Sequence, residues 1–336
     1  HVVDGRPVGM GATQASAGIL APYIETQADN PLFDLAVRSL GLYDDFAARV
    51  TSESGLAVAY RRTGTLDVAT DESAVRELRA RAEFLTRRGV GAELLDGAAA
   101  RLEEPQLADD IVGGLVIGAH GVVAASALTS ATAAAAIGKG AQFLERSRVT
   151  RIAREDGNIT VDTDRGTLRA GAVVLAAGSW SGSIDADSLV PRMPMTPVRG
   201  QLLHLSWNGP RLRRIVWSPC CYLVPWDDGT VLVGATVEHA GFEERTTVAG
   251  VRQLMEAACA VTPNALTAGF GGARVGLRPG TADGLPIIGA SSIVPNVMYA
   301  TGHYRNGVLL SPITATLVAD AMLEKDERYR SMGCII

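Results

Sequence analysis

The chain has 336 residues, 47% of them hydrophobic and 20% charged, and its 31 Lys and Arg against 36 Asp and Glu leave a formal net charge of -5. That length exceeds what a single core usually serves and predicts two domains. The scattered basic residues offer no footprint for nucleic acid or an anionic membrane, so the expected ligand is a small molecule. No apolar run reaches transmembrane length and no signal peptide is recognised. Cys220 and Cys221 are adjacent, while Cys259 and Cys334 stand apart. The spacing matches neither a metal site nor a disulfide framework, and reduced, packed thiols in a cytoplasmic protein are expected.

The opening HVVDGRPVGMGATQASAGILAP reads as a strand end at Val2 and Val3, an acid at its tip, Asp4, and then a Gly- and Ala-rich turn. In a dinucleotide-binding βαβ unit such an acid ends the second strand, about 20 residues after the glycine fingerprint, and binds ribose hydroxyls. If Asp4 has that role, the fingerprint belongs before His1. Gly9-Met10-Gly11 begins a G-x-G pattern but Gln14 breaks it. Residues 9–18 therefore read as a second cofactor-contacting loop, whose small residues let backbone N–H groups approach a pyrophosphate while Thr13 or Ser16 donates a hydroxyl. Taken alone, the same segment also reads as a flexible Gly/Ala loop.

Residues 34–50 have helical apolar spacing, and 60–69 alternate like a strand with a turn at Gly64. A charged helix is expected over 72–89, with Arg76, Arg79, Arg81, Glu83, Arg87 and Arg88 on its solvent face. Strand character returns at 113–120. An Ala-rich helix follows over 126–140, then a strand near 141–144 and a hairpin of 150–155 and 158–163 joined by Asp156-Gly157. The run GAVVLAAG at 171–178 predicts a fully buried parallel strand with Trp180 and Ser181 just beyond. Ligands of open α/β sheets sit outside the carboxyl ends of such strands, so 176–181 is expected to touch a cofactor, or else to be a tight packing turn.

From 193 to 270 the pattern changes to alternating strands interrupted by one helix over 248–260, which predicts an antiparallel second domain. The stretch 276–312 carries two arginines, Arg278 and Arg305, among few other charges. Burying a guanidinium is costly without an anion for its fork of donors, so this stretch predicts an anion site. A last strand over 297–301 ends at Gly302, and a helix over 310–323 has Pro312 in its first turn. Its N-terminus, with partial positive charge, is expected to face the space above the sheet edge.

Taken together, VVDGRPVGMGATQASAGILAP, VVLAAGSWS, CYLVPWDDGTVLVGAT, GLRPGTADGLPIIG and ATGHYRNGVLLSP resemble the D-amino acid oxidase superfamily of FAD-dependent amine oxidases, and within it most closely the glycine oxidases of thiamine biosynthesis. The resemblance spans nearly the whole chain, and its last two blocks are the specific ones. It implies an α/β fold: a Rossmann-like, glutathione-reductase-type FAD domain over 1–56, 117–192 and 281–330, lacking its N-terminal strand, and an antiparallel-sheet substrate domain over 57–116 and 193–280, with 331–336 a tail. The missing segment would include the glycine fingerprint, and this polypeptide alone is then expected to bind FAD poorly or not at all.

The resemblance further implies that Arg278 pairs with a substrate carboxylate, that Tyr222 donates a hydroxyl to it, and that Arg305 lies close to flavin and substrate. Tyr222 also reads as a core tyrosine, and Arg278 and Arg305 as partners in structural ion pairs. Non-covalent FAD contacts fall on Asp4, Gly11, Thr13, Ser16, Ala17, Gly18, Ile19, Val149, Ala177, Gly178, Trp180, Gly302, His303, Arg305, Asn306, Gly307 and Val308, with no metal. His303 is read as a structural hydrogen-bonder, since hydride transfer from a neutral amine requires no strong base, and Trp180 as packing. Cys220 and Ala124 depart from the family pattern, which usually places more polar residues there. The implied reaction takes glycine or another small amine to the imine and then the oxo acid, with ammonia and hydrogen peroxide released as oxygen reoxidises the flavin. Alternatives are a D-amino acid or sarcosine oxidase or dehydrogenase of the same fold, and a non-catalytic remnant. The partners that the resemblance suggests are a second copy of the chain, in a homo-oligomer, and a thiazole-forming protein that takes the imine.

Overall fold

The computed structural model describes residues 1–24, 30–155, 158–186, 195–294 and 296–323. The Asp156-Gly157 turn, the expected boundary at 192–193, Cys334 and the tail lie outside them. The architecture is mixed α/β around an eight-stranded sheet, in the order Gly269–Gly280, Thr196–Ser206, Thr230–Gly234, Tyr222–Pro225, Ile215–Trp217, Thr65–Ala69, Gly113–Ile117 and Glu93–Asp96. Every neighbouring pair is antiparallel except Ile215–Trp217 against Thr65–Ala69.

The period-2 alternation of these strands decides what each face does. Leu203, Leu205, Leu223, Val231 and Val233 point to one side and pack against Leu254, Ala258 and Val261 of the helix Val248–Val261. That helix forms because its apolar spacing meets this face and because the Thr247 hydroxyl caps it by accepting from Gly250 N. On the other side, Leu202, Val224 and Leu232 share a small cluster with Ala17, Val122 and Ile215. The same face carries Gly200, Tyr222 and Gly234, register partners or near neighbours across three adjacent strands.

Outside the large sheet, parallel pairing forms two separate ladders: Val2–Asp4 pairs with Phe143–Glu145, and Val173–Leu175 with Val297–Thr301, which in turn pairs antiparallel with Ile287–Ala290. The strand Val297–Thr301 and the helix Ser311–Met322 match the sequence reading almost to the residue. The helices Pro31–Gly41, Tyr43–Ser54, Glu72–Arg87, Ala125–Gly138 and Ser311–Met322 surround a second core that includes Leu40, Tyr43, Leu85, Leu128 and Ile313.

Four expectations are corrected. The helical stretch 34–50 is two helices, Pro31–Gly41 and Tyr43–Ser54, which meet at Leu42. The strand Thr65–Ala69 is buried at all five positions, because its polar members Thr65 and Asp67 meet partners instead of water. Arg81 is not on a solvent face. It bonds Asp67, and both side chains are about nine-tenths buried. It stands three residues from Leu78 and four from Leu85, both core residues, so its helical position points inward. The run 171–178 yields only the short strand Val173–Leu175, and Val174 is 37% exposed because its face borders a cavity.

Candidate functional site

A cavity of 1520 Å³ lies between the polar face of the large sheet and the parallel ladders. A single drug-sized ligand occupies about 300–1,000 Å³, so this space suits something longer, or two ligands side by side. Of the residues named from the sequence as substrate or FAD contacts, all line it except Gly302, while Ser181, at the end of the expected contact 176–181, does not. Gly302 has φ +75°, and a Cβ there would sit 2.7 Å from Thr281 Cγ2; it is a turn position turned into the protein.

Arg278 and Tyr222 reach this cavity from strands on either side of two central ones. Arg278, on Gly269–Gly280, leans over Gly200 of the adjacent strand, where a Cβ would lie 2.4 Å from its guanidinium nitrogens. Tyr222 leans over Gly234, where a Cβ would lie 2.4 Å from its hydroxyl. Two glycines in adjacent strands thus make the room in which a guanidinium and a phenol converge. Arg278 Nη1 donates to Thr236 O at 3.0 Å. The Tyr222 ring lies 5.3 Å from that of Trp217, also on the wall. Sequence reasoning found the arginine and the tyrosine and missed Gly200 and Gly234. Their only signal was a glycine inside an otherwise regular strand pattern.

The second arginine arrives by a loop. Tyr304 N donates to Pro279 O at 3.0 Å, which docks residues 303–308 beside the strand end that follows Arg278. Arg305 lines the cavity there, its guanidinium carbon 5.1 Å from the Tyr304 ring centroid. His303 Nε2 and Thr314 Oγ1 are 3.0 Å apart, and burial lowers the imidazole to about 4, so it is neutral at physiological pH. Trp180 packs between Arg6, 4.5 Å from its ring centroid, and Phe242 at 5.8 Å. Arg6 in turn forms a two-pronged ion pair with Glu244, at 2.9 and 2.5 Å.

The opposite wall is built of backbone. A 3-10 turn, Ala12–Ala15, and the residues around it present Gly11, Thr13, Ser16, Ala17, Gly18 and Ile19 to the cavity. A methyl group on Gly11 would meet no protein atom within 4 Å. Gly18 is different: with φ +73°, its Cβ would lie 1.7 Å from Val123 O. The Ser16 hydroxyl accepts from Gly18 N at 3.2 Å, which shapes the turn. Asp4 and Val149 line the same cavity, as do Ala125 and Ser311, the first residues of two helices. The donor set of small-residue backbone, an acid and two helix N-termini fits a dinucleotide cofactor.

His120 joins the two walls. Tyr23 N donates to its Nε2 at 3.2 Å, so the ring proton resides on Nδ1 and is donated to Thr65 Oγ1 at 2.8 Å. Burial lowers this fully enclosed imidazole to about 3, with Arg62 and Arg81 adding to the effect. Cys220 is exposed at the cavity and Cys221 is buried in the core, its thiol raised to about 11 by burial. Among the described residues no helix is long and apolar enough to cross a membrane.

Residues 1–321 match the model of the family described as FAD dependent oxidoreductase. The chain is 32% identical to the glycine oxidase of Geobacillus kaustophilus (strain HTA426), over 96% of this chain and 86% of that protein. It is 34% identical to the bifunctional protein ThiO/ThiG of Nostoc sp. (strain PCC 7120), over 94% of this chain and 47% of that one. The crystal structure of glycine oxidase from Geobacillus kaustophilus superposes with a TM-score of 0.94 at 32% identity, over 97% of this chain and 88% of that one. With a cavity and wall chemistry that fit the cofactor, the chain belongs to the DAO family of FAD-dependent oxidoreductases, as an amine oxidoreductase.

Proposed function

We propose that the protein oxidatively deaminates glycine or a similarly small amino acid: glycine, oxygen and water become glyoxylate, ammonia and hydrogen peroxide. The observation that carries this reading is the convergence of Arg278 and Tyr222 over Gly200 and Gly234. A guanidinium fork binds carboxylate through two parallel bonds, and a neighbouring hydroxyl adds a third donor, so the α-carbon of an amino acid is held in one orientation. Asp4 would hold ribose hydroxyls, the 11–19 segment the pyrophosphate, and residues 303–308 with the Ser311 helix end the flavin. FAD, when bound, supplies a two-electron acceptor that oxygen regenerates.

The chain's own residues bind, orient and exclude water. His303, neutral and engaged with Thr314, is left out of proton transfer. The eight-stranded sheet is read as the substrate unit and the two parallel ladders with their helices as the cofactor unit. A thiazole-forming partner that takes the imine is supported by the Nostoc relative, whose name joins ThiO and ThiG in one protein. Such a partner should lower glyoxylate release at unchanged oxygen uptake.

The decisive test is Arg278→Ala in flavin-loaded protein, assayed by peroxide formation with glycine, sarcosine, D-alanine and an amine lacking a carboxylate. The Michaelis constant for the carboxylate substrates should rise about a hundredfold, in line with a lost charge-assisted pair. An equal change for the simple amine would remove the carboxylate role.

A further inference from the structure

Behind Arg278 lies a polar network that the proposed reaction does not itself use, buried except at Glu238, whose side chain is 25% exposed. Thr236, whose carbonyl accepts from Arg278 Nη1 at 3.0 Å, is 1% exposed and held from three directions. Its hydroxyl donates to Glu238 Oε1 at 2.5 Å and accepts from Gln201 N at 2.9 Å, and its own N donates to Gln201 O at 3.3 Å. Glu238 is the hub. It accepts from Gln201 Nε2 at 2.7 Å and from Arg199 Nε and Nη2 at 3.2 and 2.6 Å, and its backbone pairs with that of Arg199 at 2.8 and 2.9 Å. Gln201 and Arg199 are 0% and 6% exposed, so neither has water as an alternative partner.

Networks of this kind persist where every member is satisfied, and then they fix geometry more than they add stability. The carboxylate is engaged by Arg199, Gln201 and Thr236. What reaches Arg278 from this network is the Thr236 carbonyl, held in one place. Gly250 completes the arrangement: a Cβ there would lie 2.1 Å from Gln201 Nε2, so the helix Val248–Val261 approaches the network through a glycine.

We propose that Glu238, acting through the Thr236 hydroxyl, is a positioning residue that sets the Arg278 guanidinium for a carboxylate ligand. This rests on the carboxylate role of Arg278 given above. Without the Glu238 to Thr236 bond, the Thr236 peptide can rotate and carry the Nη1 acceptor with it. The guanidinium plane then moves off the bidentate orientation, where displacements near 1 Å already cost large factors in rate or affinity.

The test uses flavin-loaded protein, with acetate binding followed by perturbation of the flavin absorbance and glycine oxidation followed by peroxide formation. Thr236→Val and Glu238→Gln should each raise the acetate Kd and the glycine KM about tenfold, with kcat within twofold. Thr236→Ser, which keeps the hydroxyl, should restore both constants to within twofold of the parent. The Thr236→Val, Glu238→Gln double variant should be no weaker than the weaker single one. Unchanged acetate binding in Thr236→Val, additive losses in the double variant, or failure of Thr236→Ser to rescue would each overturn the proposal. If Glu238→Gln does not fold because Arg199 keeps only its longer ion pair with Glu243, at 3.7 Å, the Thr236 pair alone decides. Arg278→Lys separates the two levels. If it leaves acetate binding unchanged, the carboxylate role itself fails. If it weakens acetate while Thr236→Val does not, only the positioning role fails.

Discussion

The two walls of the cavity use glycine for opposite ends. On the sheet wall, Gly200 and Gly234 are small so that Arg278 and Tyr222 can lie across them, and the chemistry belongs to side chains anchored on strands. On the loop wall, Gly11 faces space free of protein atoms, and the surface offered to a ligand is backbone. A strand pair holds long side chains in one place because its ladder fixes the backbone. A turn of small residues brings N–H groups close to a large anion because nothing stands in between. Specificity for a small substrate and retention of a large cofactor are thus expected to be separable.

Substitutions at these glycines should break or sharpen that separation. The largest effect is expected for Gly18→Ala, which adds a methyl inside the contact radius of Val123 O at a positive φ. Strain and overpacking together should cost about 3 kcal/mol or more, read as a fall in Tm and a lower yield of folded protein. A fully stable variant would mean that this turn is not rigid. Next comes Gly200→Ala, whose methyl displaces the Arg278 guanidinium. It should raise the KM for glycine about tenfold or more while the bound flavin content stays at the parent level. Gly11→Ala should do the reverse, weakening FAD retention about tenfold on dialysis without changing the preference for carboxylate substrates. If Gly11→Ala changed the substrate preference, or Gly200→Ala the flavin content, the two walls would not be independent.

The smallest effect concerns the joint between them. The folded His120 lies near 3, below its ordinary value of about 6.5, so the unfolded chain binds its proton first as pH falls. Stability from the neutral ring is present in full above pH 6.5 and is lost as the pH drops from there toward 3. Tm should fall by several degrees across that window, and His120→Gln should flatten the decline. The buried Asp67 has the opposite sign. Burial raises it to about 6 against the pull of Arg81, so its protonation as pH falls below 6 offsets part of the loss. An equally steep acid limb in His120→Gln would assign the decline to other groups.

Much of this molecule was legible one segment at a time. The strand Val297–Thr301, the helix Val248–Val261 and the alternating strands between 196 and 280 follow from apolar periodicity, because each element buries a face set by its own period. The arginines stood out because charge is scarce around them. Arg81 was misjudged although its spacing from Leu78 and Leu85 points inward, since composition suggested a solvated run and the deciding partner, Asp67, is 14 residues away on a strand. Thr236 and Glu238 carry no local signature, and Gly200 and Gly234 only that of a glycine inside a strand pattern. Their roles arise from register, which side chain lies over which backbone across neighbouring strands.

The sequence by itself determined the element types, the alternation that gives the large sheet one apolar and one chemically active face, and the residues able to bind an anion. Local periodicity and side-chain chemistry suffice for those. Only the tertiary structure decided that Arg278 and Tyr222 converge, that Arg305 reaches the same cavity on a loop docked by the bond from Tyr304 N to Pro279 O, and that Gly302 turns away. These are distances between residues remote in the chain, and they depend on strand register and loop docking, which no single segment encodes.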